Sequence, residues 1–103
     1  MTVEDIKRLV LSADSTAKHY VADKRGESFT IWAETNRLGL SADDRHDMGW
    51  AFQIVHYVRG EDRTTADAIE QALIDHPGVA YSYAVSYERT SGYIRHIFDC
   101  EGQ

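Results

Sequence analysis

The side chains of this chain that could do chemistry are scattered along it. Five histidines, His19, His46, His56, His76 and His96, could bind a metal or move a proton. None stands in an H-x-x-x-H or H-E-x-x-H pair, the spacing that sets two ligands on one helix face. Asp43, Asp44, His46 and Asp47 form the one dense group, with oxygen and nitrogen donors. A solvated polar loop explains that group equally well, so no metal and no cofactor is expected. Cys100 is the only cysteine, which rules out an intramolecular disulfide and a thiolate zinc site within one chain. Its neighbours Asp99 and Glu101 raise a thiol pKa, the wrong direction for a nucleophile. The serines lack a nucleophile elbow, and the glycines stand singly, so no phosphate-cradling loop is present. Glu88 and Asp99 could face each other across a hairpin as an acid–base pair. Two solvated carboxylates relieved by Arg89 or Arg95 are the simpler reading, because exposed acids are the norm. These residue types point away from catalysis, and no enzyme is expected.

The elements that would position these side chains follow from spacing. Val3, Ile6, Leu9, Val10 and Ala13 form a stripe at helical intervals, with Thr2 and Asp5 as a capping box, so a helix is expected over Val3–Ala13. Asp14–Asp23 is ambiguous; Tyr20 and Val21 could sit in a short strand. Ser28–Thr35 reads as a strand, in which Phe29, Ile31 and Ala33 alternate with Thr30, Trp32 and Glu34. Asn36–Asp47 is a polar segment longer than a hairpin loop requires. Gly49–Arg59 is the longest strand, with Trp50, Phe52, Ile54, His56 and Val58 on its more apolar face. A second helix is expected over about Thr65–Asp75, capped by Thr64 with Asp67 and stopped at His76-Pro77-Gly78. Tyr81, Tyr83, Val85 and Tyr87 then recur at every second position. Glu88-Arg89-Thr90-Ser91-Gly92 supplies a turn, and Tyr93–Cys100 runs extended.

The expected fold is α+β: an antiparallel or mixed sheet of about four strands, two helices packed on one face, order α-β-β-α-β-β, in one domain over 1–103. The other sheet face must tolerate water or receive a partner. A chain of 103 residues, 43% hydrophobic and 11% aromatic, suits one packed globule. Its formal charge of −6, from 17 acidic and 11 basic residues, argues against a general grip on nucleic acid, which needs clustered cations. Sheet tyrosines can stack bases, but with that charge core packing or a protein interface is the better expectation. The N-terminus lacks a signal-peptide layout and no apolar run approaches the roughly 20 residues that span a bilayer, so the chain is expected to fold in the cytosol, away from membranes.

From Phe29 to Phe98 the chain resembles the small tail-completion proteins of long-tailed bacteriophages and prophages, the tail-terminator and head–tail joining family. The resemblance is carried by Phe29-Thr30-Ile31-Trp32-Ala33-Glu34, Trp50-Ala51-Phe52-Gln53-Ile54-Val55-His56-Tyr57, the Thr65–Leu73 helix, and Tyr87-Glu88-Arg89-Thr90-Ser91-Gly92-Tyr93 with Arg95, His96 and Phe98. Thr90-Ser91-Gly92 stands where Asp-Thr-Gly is usual in the family. The resemblance implies a structural role in virion assembly, as a ring, usually hexameric, that caps the tail tube and meets the head. The implied partners are further copies of the chain, the tail tube protein and a head-connector protein. The implied place is the virion tail, after assembly in the bacterial cytoplasm. Asn36–Asp47 is expected to reach a neighbour through Arg37, Asp43, Asp44 and Arg45. The alternative is a small non-enzymatic protein-binding or regulatory module of the same fold.

Overall fold

Thr2 starts the first helix, α1 (Val3–Ala13). Its hydroxyl accepts from the Asp5 N–H at 3.1 Å, and the Asp5 carboxylate accepts from the Thr2 N–H at 2.8 Å. This reciprocal box satisfies amides that every helix start leaves unpaired. The computed structural model describes residues 1–22, 25–39 and 49–103. After α1 come β1 (Lys18–His19), β2 (Ser28–Arg37), β3 (Trp50–Arg59), α2 (Thr64–Asp75), β4 (Val79–Tyr87) and β5 (Tyr93–Gly102). The strands form one sheet in the order β1-β2-β3-β5-β4. β1 lies parallel to β2, and all other neighbours are antiparallel.

The α+β architecture is as expected, with one more strand than the four read from sequence. The added strand, β1, is Lys18–His19, just before the Tyr20–Val21 pair of the ambiguous segment. Two residues cannot display a period, so the pattern had nothing to reveal. β2 also runs further, to Arg37, past a register shift between Glu34 and Asn36. Asn36 and Arg37 therefore belong to the sheet rather than to the polar loop. The α2 cap differs too. Arg63 holds the cap position without a side-chain bond, and the Asp62 carboxylate accepts from the Thr64 N–H at 2.9 Å. An aspartate two residues ahead does the work expected of the Thr64–Asp67 pair.

Strand alternation sorts the sheet into two unlike faces. Trp32 on β2, Phe52 and Ile54 on β3, and Phe98 and Cys100 on β5 share one core with Ile6, Leu9 and Val10 of α1 and Ile69 and Leu73 of α2. Burying one such large apolar side chain is worth about 1.5–3 kcal/mol. Thr30, Trp32 and Glu34 are the helix-facing set of β2. The outward set of the sheet includes Ile31, Val55 and Ile97, aligned across β2, β3 and β5. These three are only half-buried, because no described helix covers them.

Candidate functional site

Two hydrogen-bonded groups, Asp14–Thr30–His56 and His96–Tyr83, lie side by side on the helix-facing side of the sheet. The Thr30 hydroxyl donates to Asp14 Oδ2 at 2.6 Å, so its oxygen is left to accept from His56 Nδ1–H at 2.8 Å. His56 lies directly opposite His96 in the β3–β5 register, with ring centroids 6.2 Å apart. His96 Nδ1 and the Tyr83 hydroxyl share a hydrogen bond of 2.7 Å, and the Arg63 guanidinium stands over the Tyr83 ring at 5.7 Å. Burial pushes the His56 pKa down against the pull of the Asp14 charge, and His96 lowers it further. Burial, with Arg63 adding to it, pushes the His96 pKa down too. Burial would raise the Asp14 carboxyl, but the bonds from Thr30 and Thr16 outweigh it and hold the group below its ordinary value. Thr30, His56 and His96 are each 3% exposed or less. They are enclosed among the described residues, and their hydrogen bonds tie the strands to the end of α1.

A second cluster lies at the β1 edge. The His19 ring stacks between Trp32, at 3.9 Å, and Tyr20, at 3.7 Å. His19 Nε2 is 2.7 Å from Glu34 Oε1. Burial alone would raise the Glu34 carboxyl, but hydrogen bonds from Tyr20 and His19 bring it below its ordinary value. Tyr20 adopts φ 70, the left-handed region that a bulky residue enters only when its surroundings hold it there. The stack and the Glu34 bond are those surroundings, and they close this edge at its middle.

The sheet face that no described helix covers is polarised along the strands, and its Tyr93 end is closed over by the chain at Gly26, whose carbonyl accepts from the Tyr93 hydroxyl at 2.7 Å. At one end Phe29 stacks on Tyr57 at 4.5 Å, and Tyr93 meets both rings edge-on. Arg59 lies over Tyr93 at 4.5 Å, with the Glu27 carboxylate 3.7 Å from its guanidinium, and Arg25 lies over Phe29 at 5.9 Å. Ile31, Val55 and Ile97 occupy the middle. At the other end stand Asp99 and Glu101, beside a shallow concavity that Thr35, Ala51 and Ser82 also line. The face thus runs from cationic–aromatic, through aliphatic, to acidic.

The sheet's two edges differ as sharply. Along β2 the outer edge carries β1, the register shift, Glu34 and Arg37, the devices that stop another strand from adding. β4 has none of them. Its nine residues pair with β5 without interruption, and none is charged or proline. The Glu88 N–H donates to the Tyr93 carbonyl at 2.8 Å and the Gln103 N–H to the Gly78 carbonyl at 3.3 Å, which fixes the ladder's parity. The even-numbered residues of β4 therefore bond inward to β5. Tyr81, Tyr83, Val85 and Tyr87 direct their N–H and C=O groups to the free edge.

Of the residues expected to meet a partner, Arg37 sits at the end of β2 with its guanidinium 4.7 Å over the Trp50 ring. Asp43, Asp44 and Arg45 lie outside the described residues, as do His46 and Asp47. Glu88 and Asp99 do not face each other. Glu88 accepts from Ser91 Oγ within the turn at 2.5 Å, whereas Asp99 lies opposite Ser82 and accepts from Gln53 at 2.9 Å. A hairpin whose turn spans Glu88–Gly92 puts those two acids at different heights. Burial, with Asp99 adding to it, pushes the Cys100 thiol up to about 12, so it is inert at neutral pH. Among the described residues no three of His, Cys, Asp and Glu gather as metal ligands. The reading of single motifs missed the Asp14–Thr30–His56 and His96–Tyr83 links, although His56 on an otherwise apolar strand face was a visible signal.

The fold and these surfaces define a class: a small α+β protein with, among the described residues, one sheet face without a helix on it and one strand edge without a partner strand. No family model matches the chain, and no curated protein matches it.

Proposed function

We propose that this chain is a structural virion-assembly protein, a tail-terminator or head–tail joining ring subunit that caps a phage tail tube and works in the virion tail. One observation carries the reading: the sheet face that no described helix covers is cationic–aromatic at one end and acidic at the other. Such a face suits a head-to-tail contact, in which unlike patches of successive copies meet and the rotation closes a ring. Val55 and Ile97 supply the apolar centre that such a contact excludes from water. Arg37, over the Trp50 ring at the end of β2, and Asp43, Asp44 and Arg45, which follow it in the sequence, are the polar contacts to a neighbouring ring or subunit. The net charge of −6 suits a conduit that lets DNA pass without holding it.

The test is reconstitution with the cognate tube protein, followed by light scattering and negative-stain microscopy. Closed rings on tube ends are expected from the native chain. Val55→Lys, a change on the open face, is expected to lose them while keeping its far-UV circular dichroism. A chain that neither closes a ring nor halts tube growth, or rings that persist in Val55→Lys, would overturn the reading.

A further inference from the structure

We propose that two copies of this chain pair through β4, antiparallel and about a two-fold axis at Tyr83, to make one sheet continuous across both. The contact lies at a different surface from the open face. It is closed in itself, joining two subunits or two rings, so it does not depend on the ring reading.

A long, flat strand that offers unsatisfied N–H and C=O groups is a template for any extended chain, and proteins protect such edges with charges, prolines, bulges or a cover. Among the described residues this sheet protects one edge by several of those means and the other by none. Val79–Tyr87 is uncharged, regular and in full register with β5. Val85 and Tyr87 are 52% and 62% exposed on it, side chains that solvent alone gives no reason to place there.

The strand is also its own complement. Placing Tyr83 opposite Tyr83 of a second copy sets Tyr81 opposite Val85 and Val79 opposite Tyr87, each pair occurring twice. These are the aromatic–aromatic and aromatic–β-branched pairs that stabilise antiparallel ladders. On the other face Ser82 falls opposite Ala84 and Ala80 opposite Ser86, small against small. The residues with outward N–H and C=O groups are the ones this register places in hydrogen-bonded pairs, so parity and side-chain complement agree. Glu88, the first charge beyond the strand, falls opposite Gly78, and no like charges meet along β4. The protected β2 edge prevents a third copy from adding, and the assembly stops at two rather than growing as a fibril.

The experiment is a sedimentation-equilibrium series on the full chain. The native protein is expected to dimerise with rising concentration. Ser82→Lys/Ala84→Lys places lysines against lysines across the axis, at positions exposed in the single copy, and is expected to weaken the dimer at least about tenfold with unchanged circular dichroism. Ser82→Glu/Ala84→Glu is expected to be monomeric alone and to form a mixed dimer with the lysine variant, because position 82 of one copy then meets the opposite charge at position 84 of the other. Rescue by mixing is specific to this register, and a merely destabilised fold would not produce it. A native chain that stays monomeric at its highest soluble concentration overturns the proposal. So does a lysine variant that dimerises normally, or a failure of the two variants to pair. Binding of a segment of another protein to β4, with no self-pairing, overturns it as well. Rings lost in Val55→Lys while this dimer persists would mark the two contacts as separate.

Discussion

Thr30 holds the centre of the Asp14–Thr30–His56 group, and its one proton determines what its neighbours can do. Because that proton goes to Asp14, His56 must donate through Nδ1 and is held in a single neutral tautomer. Thr30→Val keeps the shape but strands one oxygen of the Asp14 carboxylate and the His56 Nδ1–H, at an expected cost of about 1–3 kcal/mol in denaturant unfolding. Thr30→Ser keeps both bonds and should cost less. If the valine variant is the milder one, the hydroxyl does not stabilise the fold. The histidines set a pH dependence whose sign follows from their lowered pKa values. The unfolded chain takes up their protons near the ordinary value of 6.5, and the folded chain only at lower pH. Stability is therefore full above that value and falls as pH drops through it toward the folded pKa values. Asp14 acts in a separate, more acidic window: its contribution is present above 3.8 and is lost as pH falls through its lowered folded pKa. Thermal melts between about pH 7 and 5 should show the histidine decline, and His56→Asn, which retains a donor to Thr30, should flatten it. An unchanged slope in that variant would assign the titration elsewhere.

At the scale of elements, the ends of β3 and β5 are locked by a close backbone approach. A Cβ added at Gly49 would fall onto the Gly102 carbonyl, a backbone group with little room to move. One added at Gly102 would chiefly meet the Met1 side chain, which can swing aside. Gly49→Ala should therefore cost about 2–3 kcal/mol and Gly102→Ala noticeably less, measured by urea unfolding. Equal costs would mean that the strand ends yield together. This approach was invisible in the sequence, where both glycines read only as isolated residues and Gly49 as the first residue of the long strand. The long elements were legible. α1 announced itself through an apolar stripe and a capping box, and β3 and the β4–β5 hairpin through strict alternation. What escaped had no period to read. β1 is two residues long, β2 continues through a register shift that breaks alternation, and the α2 start is capped from Asp62, outside the spacing that Thr64 and Asp67 suggested. The candidate surfaces were legible in half. Alternation separated the faces of β3 and β4, but the polarity of the open face depends on Arg59, Tyr93, Asp99 and Glu101 being brought into register by the sheet. The free edge depends on β4 being outermost, and strand order leaves no mark in local sequence.

At the scale of the whole molecule, the two surfaces should answer salt in opposite directions, which allows each contact to be recognised without a structure of the assembly. Each copy carries a formal charge of −6, so any two copies repel before they touch. The β4 edge carries no charge of its own to offset that repulsion. Its pairing should tighten from about 0.01 M to 1 M salt, as the screening length shrinks from roughly 30 to 3 Å and the copies cease to repel. The open face instead sets Arg25 and Arg59 at one end and Asp99 and Glu101 at the other, and a head-to-tail contact there gains attraction from opposite charges brought close. Screening removes that attraction, so this contact should weaken over the same range. Val55→Lys, which disables the open face, isolates the first behaviour. Ser82→Lys/Ala84→Lys, which disables the edge, isolates the second. Sedimentation of both variants across the salt series is the measurement. If the Val55→Lys protein loses mass as salt rises, its remaining association is held by charge and cannot run through the uncharged strand β4. If the lysine-pair variant gains mass, its contact is apolar and the polarity of the open face does not direct it.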